Sequence, residues 1–205
     1  MGLEDFSKEE ISLVLETAKE MKNIIHRDIK KVPALRGKAI VTLFYEPSTR
    51  TRTSFELAGK YLGADVVNIS ARLSSIVKGE SLRDTLYTIE AMGADAIVMR
   101  HKAEGAAAYA SKVVSPVILN AGDGAHAHPS QALLNLFTIQ QHKGCLAGLK
   151  VAILGDVLHS RVARSDIYGM TRMGMEVHLA GPNTLMPRFL DEIPGVFIHE
   201  RIEDA

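Results

Sequence analysis

Apolar positions along the chain fall either in short continuous runs or in stripes with helical spacing. Ser7 and Glu10 have the spacing of a capping box, and an apolar stripe from Ile11 to Ile25 follows, which predicts a first helix. Four apolar runs then predict strands, and three stretches between them predict helices. The strands are Ala39–Tyr45, Asp65–Ile69, Ala96–Met99 and Val117–Asn120, and the helices are about Arg50–Leu62, Leu82–Met92 and Ala103–Val113. Continuous apolar strands separated by helices indicate an α/β fold with a parallel sheet covered on both faces.

A second series of the same kind follows a break at Gly144 and Gly148. A longer helix, from Ser130 to about His142, is predicted before the break. The elements predicted after the break are a strand at Leu149–Leu154, a helix at Ser160–Met173, a strand at Glu176–Leu179, a helix near Pro187–Glu192 and a strand at Val196–His199. We therefore predict two parallel-sheet α/β domains, 1–140 and 141–205. Residues 201–205 have the composition of a beginning helix, so we expect the second domain to be incomplete and the chain truncated.

Composition narrows the classes of partner. Of 205 residues, 46% are hydrophobic, and 24 basic residues balance 24 acidic ones, which predicts an ordinary packed core and disfavours nucleic acid as a partner. A single cysteine, Cys145, excludes an intrachain disulfide and favours a cytoplasmic location. No apolar run approaches the roughly 18 residues of a membrane span. His126 and His128 lack further ligands at a familiar spacing, so neither a metal nor another cofactor is expected.

The connection after the first predicted strand concentrates anion-binding groups. Pro47 is followed by the hydroxyls of Ser48, Thr49 and Thr51, and Arg50 and Arg52 alternate with them. A helix is predicted to begin here, and helix N-termini attract anions through unpaired N–H groups and the helix dipole. Guanidinium groups add forked donors that match phosphate oxygens. The alternative is a well-capped helix, in which Thr53 and Glu56 form a capping box.

Four segments, in this order, resemble motifs of the aspartate and ornithine carbamoyltransferase family. They are Phe44–Thr51 (FYEPSTRT), Lys78–Ser81 (KGES), His128–Leu134 (HPSQALL) and Gly155–Ser165 (GDVLHSRVARS). The resemblance implies two α/β domains and transfer of a carbamoyl group from carbamoyl phosphate to an amine. It implies direct attack of the amine on the carbonyl carbon, without metal, cofactor or covalent enzyme intermediate.

The resemblance also implies roles for individual residues. Ser48, Thr49, Arg50 and Thr51 would hold the phosphate, with Thr51 also near the carbonyl oxygen. Arg100 would pair with the phosphate and the carbonyl oxygen, and His128 would donate a hydrogen bond to that oxygen. Gln131 would contact the carbamoyl NH2 group, and Arg161 would bind the α-carboxylate of the acceptor. Among these residues, the catalytic ones would be Arg50, Thr51, Arg100 and His128.

A loop between a predicted strand and helix carries the remaining predicted ligands. In the family, this loop enters the active site of the neighbouring subunit of a homotrimer, where a serine and a lysine complete the phosphate pocket. Lys78 matches the lysine, and Ser74 matches the serine better than Ser75 does. The resemblance leaves a regulatory chain possible.

The acceptor is predicted from two motif positions. Ser130 stands where ornithine enzymes typically carry cysteine, and the segment from Gly155 to Arg161 resembles aspartate enzymes. We therefore expect L-aspartate as acceptor and N-carbamoyl-L-aspartate and phosphate as products, in pyrimidine synthesis. Two alternatives stay open: an ornithine-type transcarbamylase, and a truncated, non-catalytic chain that binds carbamoyl phosphate.

Overall fold

The structure is a computed structural model and describes residues 1–70 and 79–205. The described helices are α1 (Lys8–Ile25), α2 (Thr49–Tyr61), α3 (Leu82–Ala91), α4 (Ala106–Val113), α5 (Pro129–Lys143) and α6 (Arg161–Arg172). The described strands are β1 (Ala39–Phe44), β2 (Asp65–Ser70), β3 (Ala96–His101), β4 (Val117–Asp123), β5 (Lys150–Leu154), β6 (Glu176–Ala180) and β7 (Val196–His199). The chain divides into two compact units: Met1 with Met21–Gly124, and Gly2–Glu20 with Ala125–Ala205.

The first unit is built on a parallel sheet with strand order β2-β1-β3-β4. Successive residues of the central strand β1 are buried on opposite faces. Val41 and Leu43 pack in one apolar cluster, whereas Ile40 and Phe44 pack in another. Burial on both faces explains the continuous apolar run of this strand, and the prediction of a doubly covered parallel sheet is confirmed.

A glycine lets α2 lie close to this sheet. A Cβ atom at Gly59 would lie 2.6 Å from Val66 Cγ2, so a side chain there would force Val66, the helix or the strand to shift. Because α2 follows directly after β1, its start lies at the carboxyl end of the sheet. Open α/β sheets bind their ligands at that end.

The second unit has a parallel sheet with strand order β5-β6-β7. Its core joins side chains from α1, α5, α6 and β6: Ile11, Leu15, Leu136, Ile167, Met170, Val177 and Leu179. The N-terminal helix thus contributes to the core of the later part of the chain, which a domain boundary at 140/141 does not anticipate. The functional division into residues 1–140 and 141–205 stays a prediction.

The predicted α-helix near Pro187–Glu192 is wrong, since the structure has only a short 3-10 turn at Leu190–Glu192. Pro187 and Pro194 leave too few residues between them for a helix that offsets its nucleation cost. Ile193, directly before Pro194, is extended, as the proline ring requires. No helix in the described part of the chain is long and apolar enough to cross a bilayer.

Candidate functional site

The first group of candidate residues lies where β1 passes into α2. Ser48 is the N-cap residue of α2 and has an extended backbone, with φ −156° and ψ 98°. Within the described residues, its side chain makes no capping hydrogen bond, so the hydroxyl is available to a ligand. The alternative of a capping box at Thr53 and Glu56 is wrong, because the helix already begins at Thr49 and Glu56 pairs with Lys60 at 2.5 Å.

A cavity of about 130 Å³ opens at this helix start. Its lining includes Phe44, Tyr45, Glu46, Pro47, Ser48, Thr49 and Arg52. Two hydroxyls and a guanidinium therefore converge at a helix N-terminus, where backbone N–H groups point outward and the helix dipole favours negative charge. This combination is suited to a phosphate group.

The structure distributes the predicted phosphate ligands unevenly around this cavity. Ser48 and Thr49 line it, whereas Arg50 is exposed on the first turn of α2 and Thr51 is half-buried beside it. Arg52 lines the cavity although the family resemblance gives it no role. Helical spacing explains the difference, because consecutive residues on one turn point about 100° apart and cannot all face one cavity.

Arg100 lies at the carboxyl end of β3, next to the start of the cavity-lining segment. It is paired in register with Phe44 of β1, and its side chain is only 14% exposed. The guanidinium Nε donates to Glu46 Oε2 at 3.1 Å, and Nη1 donates to the carbonyl oxygen of Ala121 at 3.5 Å. Glu46 therefore helps to hold Arg100, the predicted catalytic arginine, at the carboxyl end of the sheet. Glu46 lies inside the FYEPSTRT motif, but the family resemblance assigned it no role.

Two predicted ligands cannot be placed. Ser74, with its alternative Ser75, and Lys78 lie outside the described residues. Their assignment to the phosphate pocket stays a prediction.

The second group of candidates lies in the other compact unit and begins with His128. This buried residue is the N-cap of α5, and Pro129 occupies the first helical position. The His128 backbone N–H donates to Ser165 Oγ at 2.8 Å, and the ring Nδ1 lies 3.3 Å from Ser130 Oγ. If the Ser130 hydroxyl donates to Nδ1, the imidazole carries its proton on Nε2 and can act as a hydrogen bond donor there.

Gln131 belongs to a series of side-chain hydrogen bonds that links α5 with α6. Its Nε2 donates to Asn135 Oδ1 at 3.0 Å, and Asn135 Nδ2 donates to the two Asp166 carboxylate oxygens at 3.0 and 2.9 Å. Asp166 is buried, and this burial raises the pKa of its carboxyl group to about 6, against the lowering effect of the Asn135 hydrogen bond. Neither Asn135 nor Asp166 was predicted from the sequence. The i, i+4 spacing of Gln131 and Asn135 could have indicated their contact on one face of a helix. The contact of Asn135 with Asp166 depends on the packing of α5 on α6, which this spacing does not indicate.

The raised pKa predicts a pH-dependent stability difference for Asp166→Asn. The folded-state pKa lies above the unfolded value, so the native state binds more protons between about pH 4 and 6, and Asp166 lowers stability as pH rises through this range. We expect the free energy of unfolding of Asp166→Asn, taken relative to the unsubstituted chain, to be about 1–3 kcal/mol greater at about pH 8 than at about pH 4. Urea unfolding at several pH values measures this difference. The exposed Asp65→Asn variant is the matched control, and a pH-independent difference for Asp166→Asn would contradict the expectation.

Arg161 is the first residue of α6, on the turn that follows β5. The N-cap residue Ser160 accepts a hydrogen bond from the Ala163 backbone N–H at 3.1 Å, which fixes the start of the helix. Gly155, at the end of β5, has φ 114°, a conformation that favours glycine and lets the chain turn away from the sheet. Arg161 is half-buried at this turn, so it lies at a strand-to-helix connection, as predicted.

The histidines near this group do not form a metal centre in the described part of the chain. Among the described residues, no cluster of three or more His, Cys, Asp or Glu side chains is suited to a metal ion. His126 Nε2 instead lies 3.1 Å from Glu4 Oε1. His159 Nδ1 lies 3.0 Å from Asp156 Oδ2.

Comparisons with known proteins agree with the motifs. The family model described as "Aspartate/ornithine carbamoyltransferase, carbamoyl-P binding domain" matches residues 1–141. The chain is 61% identical over all 205 residues to the aspartate carbamoyltransferase catalytic subunit of Pelotomaculum thermopropionicum, and 62% identical to that of Heliobacterium modesticaldum. It spans 66% and 65% of the lengths of these two relatives.

Solved structures show the same relationship. The catalytic subunit of M. jannaschii aspartate transcarbamoylase is similar over all of this chain and 69% of its own, with a TM-score of 0.89 and 38% identity. Aspartate transcarbamoylase from Trypanosoma cruzi, solved with carbamoyl aspartate and phosphate, is similar over 98% of this chain and 68% of its own, with a TM-score of 0.90 and 35% identity.

Proposed function

Because the chain belongs to the aspartate/ornithine carbamoyltransferase family, we propose that it transfers the carbamoyl group of carbamoyl phosphate to the amino group of L-aspartate. The products are N-carbamoyl-L-aspartate and phosphate, and the reaction is a step of pyrimidine synthesis. The observation that carries this proposal is the phosphate-suited cavity at the start of α2, inside the segment that matches a carbamoyl phosphate-binding domain. Identity near 60% to aspartate carbamoyltransferase catalytic subunits supports aspartate as the acceptor.

The donor site in this proposal is built from the first candidate group. Ser48, Thr49, Arg50 and Thr51 bind the phosphate, with the N-terminal N–H groups of α2 as further donors. Arg100 neutralises charge on the phosphate and the carbonyl oxygen, and it exchanges its contact with Glu46 for one with the substrate. Ser74 and Lys78 add ligands from a neighbouring subunit.

The chemical step needs little from the protein beyond orientation and charge. The unprotonated aspartate amine attacks the carbonyl carbon to form a tetrahedral intermediate. The intermediate collapses when the bond between that carbon and the phosphate oxygen breaks, and the departing phosphate takes up the proton that the amine nitrogen loses. His128 and Arg100 stabilise the negative carbonyl oxygen of the intermediate, and Gln131 holds the NH2 group. Arg161 holds the α-carboxylate of aspartate. Orientation of this kind can supply about 7–11 kcal/mol of the barrier reduction.

We further propose that the protein works in the cytoplasm as a homotrimer with shared active sites, and that it needs no cofactor. A regulatory chain is compatible with this assembly. Assigning Ser74 and Lys78 to a neighbouring active site requires an oligomer, and the family resemblance implies three subunits. Sedimentation of the chain at several concentrations tests the trimer.

The acceptor is tested by incubating the purified chain with labelled carbamoyl phosphate and either L-aspartate or L-ornithine. We expect labelled carbamoyl-aspartate, and no carbamoyl-ornithine above the level found without protein. The Arg50→Ala chain serves as the matched blank for non-enzymatic carbamoylation. Product from ornithine in place of aspartate would contradict the acceptor, and product from neither would contradict transfer by this chain.

A further inference from the structure

Three polar side chains connect the first turn of α5 to the buried face of α6. Gln131 and Asn135 lie one helical turn apart on α5, and Asp166 lies on α6 with only 7% of its surface exposed. The hydrogen bonds run from Gln131 Nε2 to Asn135 Oδ1 and from Asn135 Nδ2 to the Asp166 carboxylate. The family resemblance assigns a role to Gln131 but none to Asn135 or Asp166.

The direction of these hydrogen bonds is determined by Asp166, the buried end of the series. Above about pH 6 the Asp166 carboxylate is ionised and can only accept hydrogen bonds, so Asn135 must turn its NH2 group toward it. Asn135 Oδ1 then faces Gln131, and only the amide NH2 of Gln131 can donate to it. Because the Gln131 amide group is planar, its carbonyl oxygen, Oε1, points away from the side on which Nε2 bonds to Asn135.

We propose that Asn135 and Asp166 are positioning residues that hold the Gln131 amide with Oε1 directed toward the carbamoyl NH2 group. This inference rests on the proposed function, since it assumes that Gln131 contacts that group. Gln131 is on the first turn of α5, and its backbone N–H donates to the His128 carbonyl oxygen at 3.0 Å, so its backbone position relative to His128 is fixed. A reversed amide would place its NH2 group against the substrate NH2 group and lose the hydrogen bond.

The consequence is selectivity for one substituent on the acyl phosphate. Acetyl phosphate carries a methyl group where carbamoyl phosphate carries NH2, and it shares the phosphate and the carbonyl oxygen. One correctly oriented hydrogen bond corresponds to about a three- to tenfold difference in affinity. The positioning residues therefore affect the preference between the two ligands, whereas a purely structural link between α5 and α6 would affect both ligands equally.

The test is titration calorimetry of the 205-residue chain with carbamoyl phosphate and with acetyl phosphate at about pH 8. We expect the wild-type chain to bind carbamoyl phosphate about three- to tenfold more tightly. In Asn135→Leu, which removes the anchor of the Gln131 amide, we expect the preference to fall below about twofold while acetyl phosphate affinity is unchanged.

A swapped pair separates orientation from simple packing. In the double variant Asn135→Asp with Asp166→Asn, the residue at 135 can only accept from Gln131, and the residue at 166 can donate to it. The Gln131 amide therefore keeps its orientation, and we expect the wild-type preference to return. A preference that survives Asn135→Leu, or that the swapped pair fails to restore, would overturn the positioning role. A wild-type chain that binds neither ligand would instead contradict the proposed function, and with it this inference.

Discussion

Arg50→Ala is expected to weaken carbamoyl phosphate binding by about 10- to 100-fold or more. Arg50 lies on the first turn of α2, next to the two hydroxyl residues that line the cavity, Ser48 and Thr49. A charge-assisted, forked contact to a phosphate is among the strongest single hydrogen-bonding interactions, at about 1.5–3 kcal/mol. Because Arg50 is exposed and alanine favours helices, the fold should be unaffected. Calorimetric titration with carbamoyl phosphate measures the loss.

Two further arginines make this test specific. Arg36→Ala, at an exposed position outside the cavity lining, controls for the general loss of a positive charge. Arg52→Ala tests the guanidinium that lines the cavity in the structure. Normal affinity in Arg50→Ala, or a larger loss in Arg52→Ala, would contradict the assignment of the phosphate to Arg50.

His128→Ala is expected to lower kcat by about a hundredfold or more, with a small change in carbamoyl phosphate affinity. The proposed hydrogen bond from His128 to the carbonyl oxygen strengthens as that oxygen becomes negative in the transition state, so its loss affects rate more than binding. The His128 backbone is held by Ser165 and its ring lies beside Ser130, which preorganises the donor. Steady-state kinetics with aspartate, combined with donor titration, separates the two effects.

The control for this substitution is on the same helix. His142 is exposed near the end of α5, outside both candidate groups, so His142→Ala should leave kcat unchanged. An unchanged kcat in His128→Ala would remove His128 from the mechanism. A large loss of donor affinity at unchanged kcat would make it a binding residue instead.

The sequence predicted the strands well because their apolar runs report burial on both faces. The apolar run at Ala39–Tyr45 contains β1, and the strand predicted at Val196–His199 has the same first and last residues as β7. The error at Pro187–Glu192 has a local cause, since an apolar-polar pattern between two prolines can satisfy helical spacing without room for a helix. The contribution of α1 to the second unit was not predictable, because an amphipathic stripe does not say which core it meets.

For the candidate site, the motifs indicated segments that include residues of the cavity lining, but they did not indicate which side chains face each other. Ser48 and Thr49 were predicted and line the cavity, whereas Arg52 lines it without having been assigned. The contact of Arg100 with Glu46 depends on the pairing of β1 with β3, which no local pattern encodes. The contact between Asn135 and Asp166 likewise depends on the packing of α5 on α6.

Amide NMR of the labelled chain tests most directly whether the start of α2 binds the phosphate of carbamoyl phosphate. A phosphate seated there accepts from the first backbone N–H groups of the helix and shifts their resonances. We predict that carbamoyl phosphate produces its largest amide shifts at Thr49, Arg50 and Thr51, and that Arg50→Ala strongly reduces them at the same ligand concentration. Saturating shifts located elsewhere in the chain, with these three amides unmoved, would contradict the account.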